Sequence, residues 1–135
     1  MKILIKSYWE LTAKDKAELQ KFESIKLSRF QRIINFIARL PNRFFIKIYL
    51  QCLDKEIIGI CVTSFNSIIG LNIKKEYQRK GYGTKLLNFV LNDLQNKFNI
   101  IKLRPFNNSE SFYKKFGFQK YKIYRRQNTY FKRYC

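Results

Sequence analysis

Histidine is absent from this 135-residue chain, and only two prolines, three cysteines and nine acidic residues occur in it. Without histidine the commonest metal ligand is missing. Cys52, Cys61 and Cys135 are odd in number and show no Cys-x-x-Cys spacing, which argues against a disulfide framework and against a zinc site. Free thiols suit a reducing compartment, and the stretch from Met1 to Trp9 lacks the apolar core of a secretory signal, so a cytoplasmic location is expected. No run approaches the ~20 apolar residues of a membrane-spanning helix. Pro41 and Pro105 stand alone, and no linker, repeat or low-complexity block divides the sequence. Residues 1–135 therefore read as one domain, long enough for a real core.

The shortage of acid leaves twenty-eight Lys and Arg facing nine Asp and Glu, a formal charge of +19. Such a field attracts anions, whether nucleic acid, an acidic protein surface or a phosphate-bearing small molecule. A compositional origin stands beside that reading, because Lys, Asn and Ile are abundant here and share A- and T-rich codons.

The hydrophobic pattern predicts a mixed α/β domain. Residues 2–8 alternate as a strand. Helical spacing follows from Thr12, a suitable N-cap, and returns over residues 27–40, where Phe30, Ile34 and Ile37 form a stripe ended by Pro41. Strand-like runs at 44–53 and 56–65 are joined by Asp54-Lys55. Asn66-Ser67 then turns into a short strand at 68–73, completing an antiparallel meander. Residues 84–98 carry Leu87, Val90, Leu91, Leu94 and Phe98 on one stripe and form the best helix in the chain. A strand at 100–103 and a short helix from Asn107, Asn108 or Ser109 to Lys115, closed by Gly117, come next. Two final strands with a turn near Gln127-Asn128 complete the order β-α-α-β-β-β-α-β-α-β-β.

The chemistry concentrates in Leu71-Asn72-Ile73-Lys74-Lys75-Glu76-Tyr77-Gln78-Arg79-Lys80-Gly81-Tyr82-Gly83-Thr84. A strand ends, a polar loop follows, and two glycines open an amphipathic helix. Glycine lets backbone N–H groups turn toward a ligand. The helix start adds unsatisfied donors and about half a positive charge. Arg79, Lys80 and Lys85 add full charges beside them. That combination suits a diphosphate. Two other nucleotide motifs do not fit: a dinucleotide fingerprint wants a third glycine, and Gly83-Thr84-Lys85 reverses the Gly-Lys-Ser/Thr order of a P-loop.

Gln78-Arg79-Lys80-Gly81-Tyr82-Gly83 resembles the Gln/Arg-x-x-Gly-x-Gly/Ala signature of the GNAT superfamily of N-acetyltransferases, and Leu71-Asn72-Ile73 with Glu76-Tyr77 resembles the strand that leads into it. Phe112-Tyr113-Lys114-Lys115-Phe116-Gly117-Phe118 is similar to the second signature of that family, Phe-Tyr-x-x-x-Gly-Phe. The resemblance implies the GNAT fold, acetyl-CoA as cosubstrate, and direct attack of a primary amine on the thioester. It implies that backbone groups of Leu71 and Ile73 pair with the pantetheine arm. Gln78, Arg79, Lys80, Gly81, Tyr82, Gly83 and Thr84 make up the loop that holds the coenzyme, with the amides from Arg79 onward around the diphosphate. Tyr113 takes the role of the acid that protonates the departing thiolate. The family's asparagine seven residues before that tyrosine is here Phe106, which leaves Asn107 or Asn108 as the coenzyme contact or as a helix cap. Asn72 stands where some relatives carry a carboxylate. Glu56, Glu76 and Glu110 are the nearest alternatives, and the general base stays unassigned.

The parts that meet the acceptor in this family are strongly basic. Lys26, Arg29, Arg32, Arg39 and Arg43 recur near helical spacing, and Lys120, Lys122, Arg125, Arg126, Lys132 and Arg133 crowd the tail. An acidic peptide, an RNA-associated target or a small anionic amine fits such an approach better than a polycation. Two other readings remain. Tyr121, Tyr124, Tyr130, Phe131 and Tyr134 interleave with the basic tail as they do in a nucleic-acid-binding module, or simply line the inner face of a hairpin. A non-catalytic GNAT-fold binding protein is the third reading. Monomer and homodimer are both open.

Overall fold

The computed structural model describes residues 1–7, 10–19, 46–103, 105, 109–124 and 127–134. Its first helix, α1 (Ala13–Leu19), begins where Thr12 and Asp15 cap each other. The Asp15 amide donates to Thr12 Oγ1 at 3.0 Å and the Thr12 amide to Asp15 Oδ2 at 3.1 Å, which satisfies two donors that a helix start leaves bare. Before α1 runs β1 (Lys2–Ser7), and Lys6 Nζ reaches Asp15 Oδ2 at 2.7 Å to tie strand to helix.

The expected meander follows: β2 (Ile46–Leu53), β3 (Glu56–Ser64) and β4 (Ser67–Ile73) pair antiparallel in sequence order, with β1 beside β2. Asp54, at φ 57°, makes the first hairpin turn with Lys55, as the sequence suggests. The second turn lies one residue earlier than expected. Phe65 (φ 53°) and Asn66 form it, and Ser67 already pairs with Ser64. After β4 come a 3-10 turn (Lys75–Tyr77), the long helix α2 (Tyr82–Gln95), β5 (Ile100–Leu103), the short helix α3 (Glu110–Lys114), β6 (Gln119–Tyr124) and β7 (Gln127–Arg133). The sheet order is β1-β2-β3-β4-β5-β7-β6, with β4 and β5 parallel and the other neighbours antiparallel.

Two boundaries differ from the pattern reading. The long helix starts at Tyr82 instead of Thr84, because left-handed Gly81 makes the turn and leaves Gly83 inside the first helical turn. It ends at Gln95, and the amides of Lys97 and Phe98 both return to the Leu94 carbonyl. The last hairpin turns near Gln127-Asn128, as the sequence suggests, though both residues already belong to β7, opposite Tyr124 and Ile123. The second expected helix, residues 27–40, lies outside the described residues.

Alternation along the central strands gives the sheet two apolar faces, one packed on α1 and the other on α2. Ile46, Ile48 and Leu50 of β2 join Val62 and Ile60 of β3 and Leu19 of α1 in one cluster. Tyr49 and Cys61, on the other face, join Leu86, Leu87, Val90, Leu91 and Leu94 of α2, with Ile101, Leu103, Tyr113, Phe118 and Tyr130. All five α2 side chains are buried, each worth about 1.5–3 kcal/mol, so this stripe fixes where the helix starts relative to the sheet.

Candidate active site

The site is built on an irregularity in β4. Residues 70–73 pair with 62–59 in one register, while Ile68 and Ser67 pair with Thr63 and Ser64 in a register shifted by one. Ile69 is therefore the extra residue of a β-bulge. Its effect is to switch which backbone groups face outward. Before the bulge, β4 meets β5 at Ser67 and Ile68, and the Lys102 amide donates to the Asn66 carbonyl at 2.9 Å. Beyond it, the Lys74 amide donates to the Ile58 carbonyl at 2.7 Å, so alternation directs Asn72 and Gly70 toward β3 as well. Leu71 and Ile73 direct their N–H and C=O groups away from β3. Among the described residues the last β4–β5 pair is Ile68 with Leu103, so within them the backbone of Leu71 and Ile73 faces an opening beyond the ladder.

The loop after β4 holds its shape through specific contacts. Glu56 binds the Lys74 ammonium and accepts from the Tyr77 phenol at 2.9 Å, and these two donors hold its carboxyl below the usual range. Gln78 is extended, and its carboxamide nitrogen donates to the Ile73 carbonyl at 2.9 Å, which folds the loop back onto the end of β4. Arg79 then takes φ 60°, a left-handed conformation unusual for a side chain of its size, and Gly81 follows at φ 87°. No side chain caps α2, because the capping position is Gly81 itself. The first-turn amides, which have no carbonyl four residues back within the helix, are thus presented without a protein cap. A Cβ built on Gly81 would meet nothing within 4 Å among the described atoms.

Gln51, a residue the sequence did not single out, braces this helix start from below. It is fully buried on β2, and its Nε2 donates to the Tyr82 carbonyl at 3.1 Å. Its Oε1 has no partner among the described atoms. The side chain passes over Gly59, where any Cβ would come within 2.6 Å of Oε1. A buried glutamine reaching across a glycine leaves no periodic signal, which is why pattern reading passed over it.

α3 approaches from the far side of the opening. Phe112 lies next to the helix start, since a Cβ on Gly83 would stand 3.5 Å from Ile73 Cγ1 and 3.6 Å from Phe112 Cζ. Tyr113 is buried and meets Phe112 edge-on at 5.2 Å and Phe118 at 6.1 Å. Burial pushes its phenol far above the ordinary value, with the neighbouring Cys61 thiol adding to the effect, so it keeps its proton throughout the physiological range. Of the carboxylates weighed as bases, Glu56 is engaged as described and Glu76 is exposed in the 3-10 turn. Glu110 starts α3 and accepts from the Tyr130 phenol at 2.9 Å. Asn108, with Phe106 and Asn107, lies outside the described residues. The site thus gathers Leu71, Ile73, Gln78, Arg79, Lys80, Gly81, Tyr82, Gly83 and Thr84 at one end of the sheet, with Tyr113 on the helix that closes against it.

A model of the acetyltransferase (GNAT) domain matches residues 43–120, more than half of the chain. The chain belongs to the GNAT family. Solved structures agree on the fold. Tetrahymena GCN5 superposes with a TM-score of 0.77 at 17% identity, covering 100% of this chain and 97% of that one. PaiA N-acetyltransferase from Thermoplasma acidophilum, solved with coenzyme A, gives 0.65 at 20% identity over 99% and 100%. Campylobacter jejuni PseH, solved with acetyl coenzyme A, gives 0.65 at 20% over 98% and 99%. No curated protein sequence matches the chain. The mixed seven-stranded sheet is the fold that the two sequence signatures imply.

Proposed function

We propose that this GNAT protein transfers the acetyl group of acetyl-CoA to a primary amine. The observation that carries the reading is the coincidence of two features: a strand whose Leu71 and Ile73 backbone groups point away from β3, and a glycine-opened helix start with no N-cap side-chain bond. The outward backbone groups of Leu71 and the amide of Ile73 would hold the pantetheine arm as a neighbouring strand would, the Ile73 carbonyl being already bonded to Gln78, and the loop from Arg79 to Thr84 would hold the diphosphate. PaiA with coenzyme A and PseH with acetyl coenzyme A, alike in fold, support this assignment.

In the reaction a neutral amine adds to the thioester carbonyl, its nitrogen gives up one proton to solvent water, and the tetrahedral intermediate collapses to the amide as the carbon–sulfur bond breaks. Tyr113 donates to the leaving sulfur and later regains its proton from solvent. Its raised pKa makes it a weaker acid than free tyrosine, and the match is restored because burial penalises the thiolate in the same dry surroundings. The acceptor enters against a strongly positive field, which favours amines that also carry negative charge over polyamines.

Thiol release with acetyl-CoA and a panel of amines, acidic peptides and RNA tests the activity. Turnover is expected for at least one acceptor, and Tyr113→Phe should lower kcat by about 10²- to 10⁴-fold with little change in coenzyme affinity. Thermal stability should rise with acetyl-CoA, by about 2.7 kcal/mol at a hundredfold excess over Kd. Absence of any stabilisation would remove the coenzyme assignment, and with it the enzyme.

A further inference from the structure

Gln51 and Thr63 are the two buried polar side chains among the described residues. Thr63 is hydrogen-bonded to the Tyr49 phenol of the neighbouring strand, so it serves the sheet. Gln51 instead reaches out of the sheet to a helix. It pairs with Gly59 of β3, and Gly59 pairs with Ile73 of β4, so the three residues form one row on the face that meets α2. The carboxamide runs along that row through the space that a Cβ on Gly59 would take. Its Nε2 donates to the Tyr82 carbonyl at 3.1 Å and also lies 3.1 Å from Met1 Sδ, a weak acceptor. As the first residue of α2, Tyr82 already has a donor for its carbonyl four residues on, so the glutamine is not needed to satisfy that oxygen.

What the bond does restrain is the plane of one peptide. The Tyr82 carbonyl and the Gly83 N–H belong to the same trans peptide and point in opposite directions. That N–H is one of the first-turn donors without an intrahelical carbonyl, since the Lys85 amide is the one that bonds back to Gly81, at 3.1 Å. Gly83 limits its own φ less than any other residue would, and the Gln51 bond adds the restraint that the glycine does not supply. A donor on the carbonyl also polarises the N–H at the other end of the peptide. We propose that Gln51 is a positioning residue for coenzyme binding: from β2 it holds the peptide between Tyr82 and Gly83 and aims the Gly83 amide at the diphosphate. This role rests on the acyl-CoA reading above, and it adds a side chain from beneath the loop that does not itself meet the coenzyme.

The test measures coenzyme A binding by calorimetry for the whole chain and for Gln51→Met, which keeps the length of the side chain and loses its donor. Amide spectra of the same proteins labelled with ¹⁵N-glycine follow the proposed contact itself. The chain has five glycines, so Gly83 gives one of five signals, assigned by its loss in Gly83→Ala. Coenzyme A should move that signal strongly in the unaltered protein. In Gln51→Met the affinity should fall by about fivefold, the worth of one net hydrogen bond, with the thermal midpoint little changed. The Gly83 signal of the free variant should be displaced, and its response to coenzyme A should shrink. Gln51→Glu separates aiming from packing, because a protonated carboxyl can donate to the Tyr82 carbonyl and an ionised one cannot. Its affinity relative to the unaltered protein should recover as pH falls from about 8 to about 5. Equal affinity with an unchanged Gly83 response in Gln51→Met, or a Gln51→Glu profile parallel to that of the unaltered protein, overturns the role and leaves the coenzyme assignment intact. Failure of the unaltered protein to bind coenzyme A overturns the coenzyme assignment itself.

Discussion

Glycines around the site differ in how much room they have, and the difference predicts different outcomes for similar substitutions. Gly81 has no described atom within 4 Å of where its Cβ would stand and a left-handed backbone, so a side chain there meets strain, not a clash, at the start of α2. Gly81→Asp adds a negative charge where an anion is to sit, and coenzyme binding should vanish in calorimetry while the fold persists in circular dichroism. Normal affinity would place the diphosphate elsewhere. Gly83 is helical, and an added methyl group would make only ordinary contacts with Ile73 and Phe112, so Gly83→Ala should bind coenzyme nearly as well as the parent. Gly59 is a third case. Its missing Cβ makes room for Gln51, and the Cδ1 of Ile73 would stand at 2.7 Å from any replacement. Gly59→Ala should cost about 1–3 kcal/mol in urea denaturation, as overpacked cores do, and should free the Tyr82 carbonyl by displacing the Gln51 carboxamide.

Elements carry the next level of the argument, beginning with α1. Its reciprocal cap and the Lys6–Asp15 pair join a seven-residue helix to the edge strand. Thr12→Ala should destabilise the protein by about 1 kcal/mol. Asp15 adds a pH dependence. Burial works against its ionisation, but the Lys6 ammonium and the Thr12 amide and hydroxyl outweigh it and lower the carboxyl's pKa. The stabilisation is therefore complete above the unfolded value of about 3.9 and is lost as pH falls through the lower folded value. In Asp15→Asn the acid limb of a stability profile should flatten; an unchanged limb would show that the pair contributes nothing.

The same scale shows what a sequence can disclose. Gln78 to Thr84 and Phe112 to Phe118 were legible because their chemistry is local: glycine spacing, charge and helix onset all lie within a few residues. The Asp54-Lys55 hairpin was legible for the same reason. The bulge at Ile69 was not, because β4 reads equally well in either register and only pairing with β3 decides which backbone groups face outward. Resemblance named Leu71 and Ile73; pairing with β3 adds that their backbone groups point away from it. Gln127 and Asn128 have turn-like side chains yet lie in β7, where pairing with β6 overrides their local preference.

For the molecule as a whole, charge is the feature that reaches beyond any single contact. From Tyr77 onward the sequence holds fourteen Lys and Arg and two acids, Asp93 and Glu110. Each of those acids accepts a hydrogen bond from a tyrosine of the sheet, Tyr49 and Tyr130. The half of the chain that contains the phosphate loop thus presents cations with almost no exposed acid to offset them. A field of that kind acts at a distance and before contact, so it raises the rate at which an anionic coenzyme arrives more than it slows departure. Stopped-flow measurements should show the association rate constant of coenzyme A falling by about tenfold or more between 20 mM and 300 mM salt, while the dissociation rate changes much less. An acidic substitution at exposed Lys14 of α1, Lys14→Glu, should reduce association modestly and leave dissociation unaltered, because it changes the summed field away from the loop. If salt instead acted mainly on dissociation, the lysines and arginines would matter as direct contacts alone, and the remaining positive charge would have no part in capturing the donor.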